Sequence, residues 1–180
     1  MHEIFAERQL VDKVEKRKIE YPYMPEEGTI EYVGPENDYM WLAKEYAKRY
    51  SLDKVMPNCS VIVKEGKILG IGANGSNYHE ENGCERVRRK IPTGQGYDLC
   101  EGCHPKNHGE QQAINDAVAV MGTEDFSGAE IYLWGHYWAC EPCWDAMLGS
   151  GINTVYLLEG SEVLFVRNNP DNIIGRQFEV

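Results

Sequence analysis

The sequence lacks any long apolar run. Hydrophobic residues make up 42% of its 180 residues, but they lie in short segments, and none approaches the roughly 20 residues needed to cross a bilayer. The N-terminal segment MHEIFAERQLVDKVEKRK is charged and amphipathic, without the apolar centre of a signal peptide. The sequence therefore predicts a cytoplasmic protein with no membrane partner.

Positive charge is also scarce. The chain has 18 Lys and Arg residues against 29 Asp and Glu residues, which gives a net charge of −11. A binding partner such as a long nucleic acid is therefore not expected, because proteins that bind long polyanions usually carry a basic face. The local exception is the segment ERVRRK, which contains Arg86, Arg88, Arg89 and Lys90. Such a charge run either forms a binding patch or is a solvated loop.

Repeats and low-complexity linkers are absent from the sequence, so we expect one main domain. Residues 3–18 have a helical pattern, and the following segment YPYMPEEG ends it with two prolines and a glycine. We therefore expect an N-terminal helical extension over residues 1–35 and a single functional domain over residues 36–180.

The pattern of the larger segment alternates between helix and strand. Asn37 is a candidate N-cap, followed by apolar residues at helical spacing up to Tyr50. SVIVKEGKILGIGANG predicts a β-hairpin that turns at Gly66. Then come the helix HGEQQAINDAVAVM, the strand AEIYLW, the helix CWDAMLGSG, the strand NTVYLLE and a candidate strand EVLFVR. This order predicts a three-layer α/β/α domain with a mixed sheet of about five strands.

Two motifs at the starts of predicted helices carry side chains that bind metals. His108 and Glu110 open the segment HGEQQAI, and Cys140 and Cys143 open CEPCWDAM. Both thiols of a C-x-x-C pair at a helix N-terminus lie on one side of the helix, where the backbone N–H groups favour thiolates. One neutral imidazole and two thiolates balance the charge of Zn²⁺ and leave a fourth position for water. The spacing thus indicates a catalytic zinc site with the ligands His108, Cys140 and Cys143.

Each motif alone has a simpler explanation. Glu110 in a first helical turn is ordinary helix electrostatics, and an isolated C-x-x-C also occurs in structural and redox sites. A non-enzymatic zinc module remains a further alternative, in which the pair Cys100 and Cys103 joins Cys140 and Cys143 in one Cys₄ site. That module would leave His108 and Glu110 without a role.

The order of H-x-E helix, strand and C-x-x-C helix is the pattern of zinc-dependent nucleobase deaminases. From NCSVIVKEGKILGIGANG to SGINTVYLLEG the chain resembles the cytidine/deoxycytidylate deaminase superfamily, and deoxycytidylate deaminases most closely. It departs from the family pattern at Ala139, where the family has proline. The resemblance implies a cytidine-deaminase-like fold and a zinc-dependent deaminase domain over residues 36–180.

The resemblance also implies a reaction, which is hydrolytic deamination of a cytosine ring by a zinc-activated water, with Glu110 as the proton shuttle. The long segment between the hairpin and His108 favours a nucleotide substrate, with dCMP to dUMP as the expected conversion. Asn74 would bind the sugar, and Arg86 and Arg88 are candidates for the phosphate. Cytidine, guanine and tRNA adenosine stay open as alternative substrates, as does a catalytically silent deaminase fold. The family also implies a homo-oligomer.

Three further cysteines lie in that long segment. Cys84, Cys100 and Cys103, with a histidine, would suffice for a second, structural zinc that orders the insert. His104 is adjacent in sequence and is our choice for the fourth ligand, with His79 as the other candidate. The alternative is that these residues are free thiols in a partly ordered loop.

Overall fold

The computed structural model describes residues 18–180, and its centre is one mixed five-stranded sheet. The strands follow the spatial order β1-β5-β4-β2-β3. β5 is parallel to both β1 and β4, whereas β2 is antiparallel to both β4 and β3. The strands are β1 (Thr29–Val33), β2 (Cys59–Lys64), β3 (Lys67–Ala73), β4 (Glu130–Trp134) and β5 (Thr154–Leu158).

Six α-helices accompany this sheet in residues 18–180, three of them with at least two turns. In chain order they are α1 (Asp38–Tyr50), α2 (Tyr78–Asn82), α3 (Glu85–Arg88), α4 (Gly109–Met121), α5 (Glu141–Gly149) and α6 (Ser161–Leu164). In this described part of the chain, no helix combines the length and apolar character that a membrane span requires.

The sheet is covered on both faces, so the predicted three-layer architecture is confirmed. On one face α4 and α5 enclose a core that includes Ile131, Trp144 and Leu157. On the other face α1 and the segment after α6 pack against Val61 and Trp134. The central strands are buried on both sides, as expected for a sheet between two helical layers.

Local sequence signals account for α1 and for the hairpin of β2 and β3. The side chain of Asn37 accepts hydrogen bonds from the backbone N–H groups of Tyr39 and Met40, so it caps α1 as predicted. Glu65 and Gly66 join the two strands, and both have positive φ angles, of 50° and 75°. Such two-residue turns match the twist of a hairpin.

Close packing fixes α4 on the hairpin. A Cβ atom added to Gly70 would lie 2.4 Å from the carbonyl oxygen of Ala113, and one added to Gly72 would lie 2.2 Å from the Ala113 nitrogen. These glycines therefore allow the backbone of α4 to approach the sheet more closely than any other residue would permit. This contact sets the position of the N-terminal end of α4, which follows His108 and carries Glu110.

Two expectations from the sequence were wrong. Residues 29–33 belong to the segment expected to be a helical extension, but they form β1, which pairs with β5. The segment EVLFVR was a candidate strand, yet Ser161–Leu164 is a short helix and Phe165 is buried against Trp134. The predicted helix over residues 3–18 lies almost entirely outside the described residues, and the division of the chain at residue 35 stays a prediction.

Candidate metal centre

The N-terminal ends of α4 and α5 meet at one point. His108 directly precedes α4, Cys140 directly precedes α5, and Cys143 lies in the first turn of α5. Both cap residues have extended backbone, so their side chains lean over the helix ends. Gln111 joins the two helices by donating a hydrogen bond to the carbonyl of Pro142 at 3.1 Å. The three predicted ligands are thereby brought together.

The distances between these ligand atoms fit a tetrahedral zinc ion. The Nδ1 atom of His108 lies 3.4 Å from the Sγ atom of Cys140 and 3.4 Å from that of Cys143. Zinc bond lengths of about 2.0 to 2.3 Å and tetrahedral angles require about 3.6 Å between a nitrogen and a sulfur ligand. The Nε2 atom of His108 lies 3.2 Å from the carbonyl oxygen of Cys103, and a hydrogen bond there leaves Nδ1 unprotonated for a metal.

The electrostatics of the two thiols are those of a pair that shares one proton. The pKa of Cys140 is lowered to about 5, chiefly by the hydrogen bond with Cys143 and, against the effect of burial, by His108. The pKa of Cys143 is raised by the same hydrogen bond and by burial. Burial by itself would lower the pKa of His108, but its hydrogen bond with Cys140 and the charge of Glu110 raise it. A divalent cation would favour both thiolates and the neutral imidazole.

Glu110 is the buried acid of the site. Its exposed fraction is 5%, and burial raises its pKa to about 7, although the charge of His108 acts in the opposite direction. A carboxyl group with such a pKa can accept and release a proton near neutral pH. The raised pKa distinguishes Glu110 from a carboxylate in a surface ion pair, whose pKa is lowered by its partner.

A cavity of about 310 Å³ opens above these residues, and His108, Glu110 and Cys140 lie in its wall. Two other residues of the wall, Asn58 and Trp138, have buried polar atoms. Neither the Asn58 Oδ1 atom nor the Trp138 Nε1 atom has a hydrogen-bond partner among the described residues. These two atoms are themselves shielded from the open space of the cavity, so a polar ligand could reach them only after a small movement of the wall.

Asn74 lies in the cavity wall and is mostly committed to the fold. Its Oδ1 atom accepts hydrogen bonds from the Ser51 hydroxyl at 2.6 Å and the Asn58 backbone at 2.8 Å. Its Nδ2 atom donates to the carbonyl of Met56 at 2.9 Å. One N–H of the Asn74 amide is left for a ligand. Its predicted role in sugar binding stays a prediction, restricted to that single donor.

Arg86 lines the cavity, but its guanidinium group is occupied. It donates to the carbonyls of Gln95 at 2.8 Å and Pro92 at 3.0 Å, and its Nη1 atom lies 3.5 Å from the Cys103 sulfur. Its guanidinium also stacks on the ring of Tyr97, at 4.4 Å from the centroid. These contacts make Arg86 a support of the cavity wall.

Arg88 does not reach the cavity. It forms an ion pair with Glu85 at 2.7 Å and donates to the carbonyl of Asn82 at 2.9 Å, with 56% of its side chain exposed. The expectation that Arg88 contacts the substrate is therefore not supported by its position. The physical reason is the i,i+3 spacing on α3, which directs the guanidinium to a carboxylate on its own helix.

Two further residues of the cavity were not found from the sequence. Arg167 follows α6, lies at the cavity and has no ion pair and no donated side-chain hydrogen bond with residues 18–180. His136 lies four residues before Cys140, and burial lowers its pKa to about 4, assisted by the charge of His108. Its position next to the C-x-x-C motif is a signal that could have drawn attention to it, whereas Arg167 has no motif around it.

The cysteines of the long segment between β3 and α4, called the insert below, form a separate cluster. One ligand atom each from His79, Cys84, Cys100 and Cys103 lies within 4.8 Å of all the others. The predicted fourth ligand, His104, is not a member, because its Nδ1 atom accepts a hydrogen bond from the backbone N–H of Lys106 and caps the turn that follows.

The thiols of this cluster are perturbed as well. Burial acts to raise the pKa of Cys100, but backbone hydrogen bonds, with Glu85 first, and the His79 side chain lower it to about 6. The thiol pairs Cys100/Cys103 and Cys140/Cys143 belong to different clusters, so the single Cys₄ site considered as an alternative is not formed.

Sequence comparison identifies the family. The cytidine and deoxycytidylate deaminase zinc-binding region matches residues 35–159, so the chain belongs to this family and the predicted superfamily is confirmed. No curated protein sequence matches the chain. The matched region contains His108, Glu110, Cys140 and Cys143.

Solved structures of several deaminases are similar to parts of the chain. A dCMP deaminase from the cyanophage S-TIM5 is 21% identical, with a TM-score of 0.41 over 68% of this chain and 82% of that one. Guanine deaminase from Bacillus subtilis is 21% identical, with a TM-score of 0.35, over 56% of this chain and 48% of that one. A tRNA:A34 deaminase is 18% identical, with a TM-score of 0.39, over 67% of each chain.

Proposed function

We propose that this protein catalyses the hydrolytic deamination of the cytosine ring of a pyrimidine nucleotide, with dCMP to dUMP as the preferred conversion. The observation that carries the proposal is the position of Glu110. This carboxyl group is buried, its pKa is raised to about 7 by burial, and it lies in the wall of the same cavity as His108 and Cys140. A binding module or a closed structural zinc site would have no use for a buried carboxyl group poised at neutral pH.

The residues divide the chemistry between them. His108, Cys140 and Cys143 would hold zinc, which when bound supplies a Lewis acid that makes water a competent nucleophile at neutral pH. Glu110 accepts one proton from the attacking water and delivers it to N3 of the ring as the bond from oxygen to C4 forms. It then carries the second proton to the amino group, so that cytosine and water yield uracil and ammonia.

The polar atoms of the wall suit a pyrimidine nucleotide. Trp138 and Asn58 lie in this wall, and after a small side-chain movement their buried Nε1 and Oδ1 atoms would reach a ring carbonyl and an amino or hydroxyl group. Asn74 retains one N–H for the sugar. These polar contacts would orient the ligand. Its ring would stack on the aromatic side chains of the wall, which are Tyr97, Tyr137 and Trp138.

The phosphate is assigned to Arg167. The two arginines of the cavity wall are Arg86 and Arg167, and Arg86 already donates to Gln95 and Pro92. The guanidinium of Arg167 makes no ion pair within the described part of the chain, so it can form charge-assisted hydrogen bonds with one monophosphate. A local cation allows this even in a chain with a net charge of −11. Cytidine, guanine and tRNA adenosine are the alternative substrates, and they require no such cation for a terminal phosphate.

We extend the proposal to the location and assembly of the protein. None of the six cysteines forms a disulfide, which is what a reducing compartment such as the cytoplasm maintains. A homo-oligomer is proposed on family grounds, and light scattering of the zinc-loaded protein would measure its size.

The test is ammonia release from a panel of substrates with zinc content recorded in parallel. We expect the highest kcat/KM for dCMP against CMP, deoxycytidine, dCTP, guanine and a tRNA stem-loop that contains adenosine. Zinc-loaded protein that releases no ammonia from any of the cytosine compounds would refute the proposed reaction. A preference for guanine or for the stem-loop would select the corresponding alternative.

A further inference from the structure

The insert between β3 and α4 has almost no core of its own. From residue 75 to residue 107 only Cys100 and Gly102 are buried. Its secondary structure consists of α2, α3 and three single-turn 3₁₀ helices. A segment of this length cannot hold one conformation by such small apolar burial. Another interaction has to order it, and the cluster of His79, Cys84, Cys100 and Cys103 lies at its centre.

The ligand atoms of this cluster have tetrahedral spacing. The Nε2 atom of His79 lies 3.3 Å from the Sγ atom of Cys100 and 3.6 Å from that of Cys103. The Sγ atoms of Cys84 and Cys103 are 3.5 Å apart. Around one zinc ion, nitrogen and sulfur ligands are separated by about 3.6 Å and two sulfur ligands by about 3.8 Å. The remaining pairs of ligand atoms lie within 4.8 Å of one another, so the four atoms can surround one metal ion.

The surroundings of the cluster match a metal ion with three thiolates. Zn²⁺ with three thiolates and a neutral imidazole has a net charge of −1, and the Arg86 Nη1 atom lies 3.5 Å from the Cys103 sulfur to compensate it. The His79 ring rests on the backbone of Gly102, where an added Cβ atom would lie 2.4 Å from Nε2. The backbone at Gly102 therefore fixes the imidazole in the direction of the thiols.

Cys103 connects this cluster to the catalytic centre. Its carbonyl oxygen lies 3.2 Å from the Nε2 atom of His108, so it is the group that orients the catalytic ligand. A second connection runs through the wall of the cavity. Arg86, which contacts the Cys103 sulfur, stacks on Tyr97, and the Tyr97 ring stands edge-on to His108 with centroids 4.9 Å apart. The same residue thus supplies a thiol to one cluster and a carbonyl to the other.

We propose that His79, Cys84, Cys100 and Cys103 bind a second zinc ion, and that this ion holds the Cys103 carbonyl in place for His108, so that the second site strengthens zinc binding at the first. The proposal rests on His108 as a ligand of the catalytic metal and is independent of the substrate. The second site is closed and has no catalytic role of its own. Its loss weakens the catalytic site because an outer partner of a metal ligand contributes about ten- to a hundredfold in affinity.

Metal analysis of the full chain tests the first half of the proposal. The wild type should contain two zinc ions per chain, and Cys84→Ser and His79→Ala should each contain one. His104→Ala is the matched control, because this exposed histidine of the same insert lies outside the cluster, and it should retain two ions. Wild-type protein with a single zinc ion, or His79→Ala with two, would overturn the second site.

Titration with a competing chelator tests the second half. In Cys84→Ser the remaining zinc should be removed at a chelator concentration at least about tenfold lower than in His104→Ala. Equal resistance of the two variants would refute the link between the sites while leaving the second site intact. Cobalt substitution assigns the ions, because a site with three thiolates and a site with two thiolates differ in the intensity of their thiolate charge-transfer bands. If Cys84→Ser does not fold, His79→Ala carries the same comparison.

Failure of this inference is distinguishable from failure of the proposed function. Zinc content and chelator resistance are measured without substrate, so they hold whichever compound is deaminated. A protein with two zinc ions and the expected response to Cys84→Ser, but without deamination of any compound, would support the inference and refute the function.

Discussion

The guanidinium carbon of Arg86 lies 4.4 Å from the centroid of the Tyr97 ring. This stack covers one face of the guanidinium, its Nε and Nη2 atoms each donate to a backbone carbonyl, and its Nη1 atom lies 3.5 Å from the Cys103 sulfur. An arginine held in this way stabilises the wall of a cavity and has little left for a ligand. Under the proposed function, the positive charge for the nucleotide phosphate comes from Arg167, the other arginine of the cavity wall.

We predict that Arg167→Ala raises KM for dCMP about tenfold, because it removes a charge-assisted hydrogen bond worth roughly 1.5 kcal/mol or more. The KM for deoxycytidine, which has no phosphate, should stay the same. Steady-state kinetics with both compounds measure this difference. Arg88→Ala is the control, since this exposed arginine is paired with Glu85 outside the cavity. Equal effects of Arg167→Ala on both compounds would exclude a phosphate contact.

The second prediction concerns Glu110. Glu110→Gln should retain zinc and the fold but lose at least about two orders of magnitude in kcat, because the proton acceptor is gone while the shape of the side chain remains. Ammonia release and metal analysis of the same sample provide the two measurements. Retained turnover above a few per cent of wild type would remove Glu110 from the mechanism.

Cys143→Ser offers the matched contrast to Glu110→Gln. This variant removes a ligand, so zinc and activity should fall together, and the midpoint of unfolding should fall as well, since metal binding contributes to folding. Cys59→Ala controls for the loss of a buried thiol, because Cys59 lies outside both clusters. Unchanged zinc content in Cys143→Ser would show that the ligand set is wrong.

The third prediction is a pH dependence of stability. Burial and the charge of His108 lower the pKa of His136 to about 4 from an ordinary value of 6.5. Between these values the unfolded chain binds a proton that the folded protein excludes, so stability is present above pH 6.5 and is lost as the pH falls toward 4. The decrease in the free energy of unfolding can reach about 3 kcal/mol.

In the variant His136→Gln this contribution to the pH dependence of stability should be absent. Denaturant unfolding at pH 7.5 and pH 4.5 should show a smaller decrease in the free energy of unfolding for the variant than for the wild type. Parallel decreases in the two proteins would mean that His136 is protonated in the folded state.

The fourth prediction uses glycines as a matched pair. Gly102→Ala leaves all four residues of the second cluster in place but puts a methyl group 2.4 Å from the His79 Nε2 atom, so it should displace the imidazole and lower zinc content toward one ion per chain. Gly149→Ala, where an added Cβ atom meets nothing within 4 Å, should change neither zinc content nor the fold. Two retained zinc ions in Gly102→Ala would show that His79 is not needed in the cluster.

Local signals were sufficient for much of the fold. The Asn37 cap, the turn at Gly66 and the helices that carry His108 and Cys140 depend on residues close in sequence, and all were predicted. The segment EVLFVR shows the limit of such signals. Its β-branched residues favour a strand, but β5 already has partners on both edges, and Phe165 instead packs against Trp134.

The ligands of the second cluster show the same limit. His104 is adjacent to Cys103 in sequence and was preferred for that reason, yet it caps the next turn. His79 reaches the thiols because α2 folds back over Gly102. Such contacts between distant segments leave no periodic pattern in the sequence. Arg167 was not predicted as a residue of the cavity for the same reason, because only the packing of the segment after α6 brings it there.

β1 has a practical consequence for how the protein is produced. The region matched by the family begins at residue 35, but the strand Thr29–Val33 lies before it and occupies the outer edge of β5. A truncated chain that starts at residue 35 would leave the backbone N–H and C=O groups of Thr154–Leu158 unpaired along that edge. Open edges of this kind recruit strands from other molecules. A protein cut at the family boundary would therefore turn β5, whose Val155 and Leu157 are buried, into an edge strand prone to such pairing, whereas one cut upstream of Gly28 would keep β1 as the edge and β5 in the interior of the sheet.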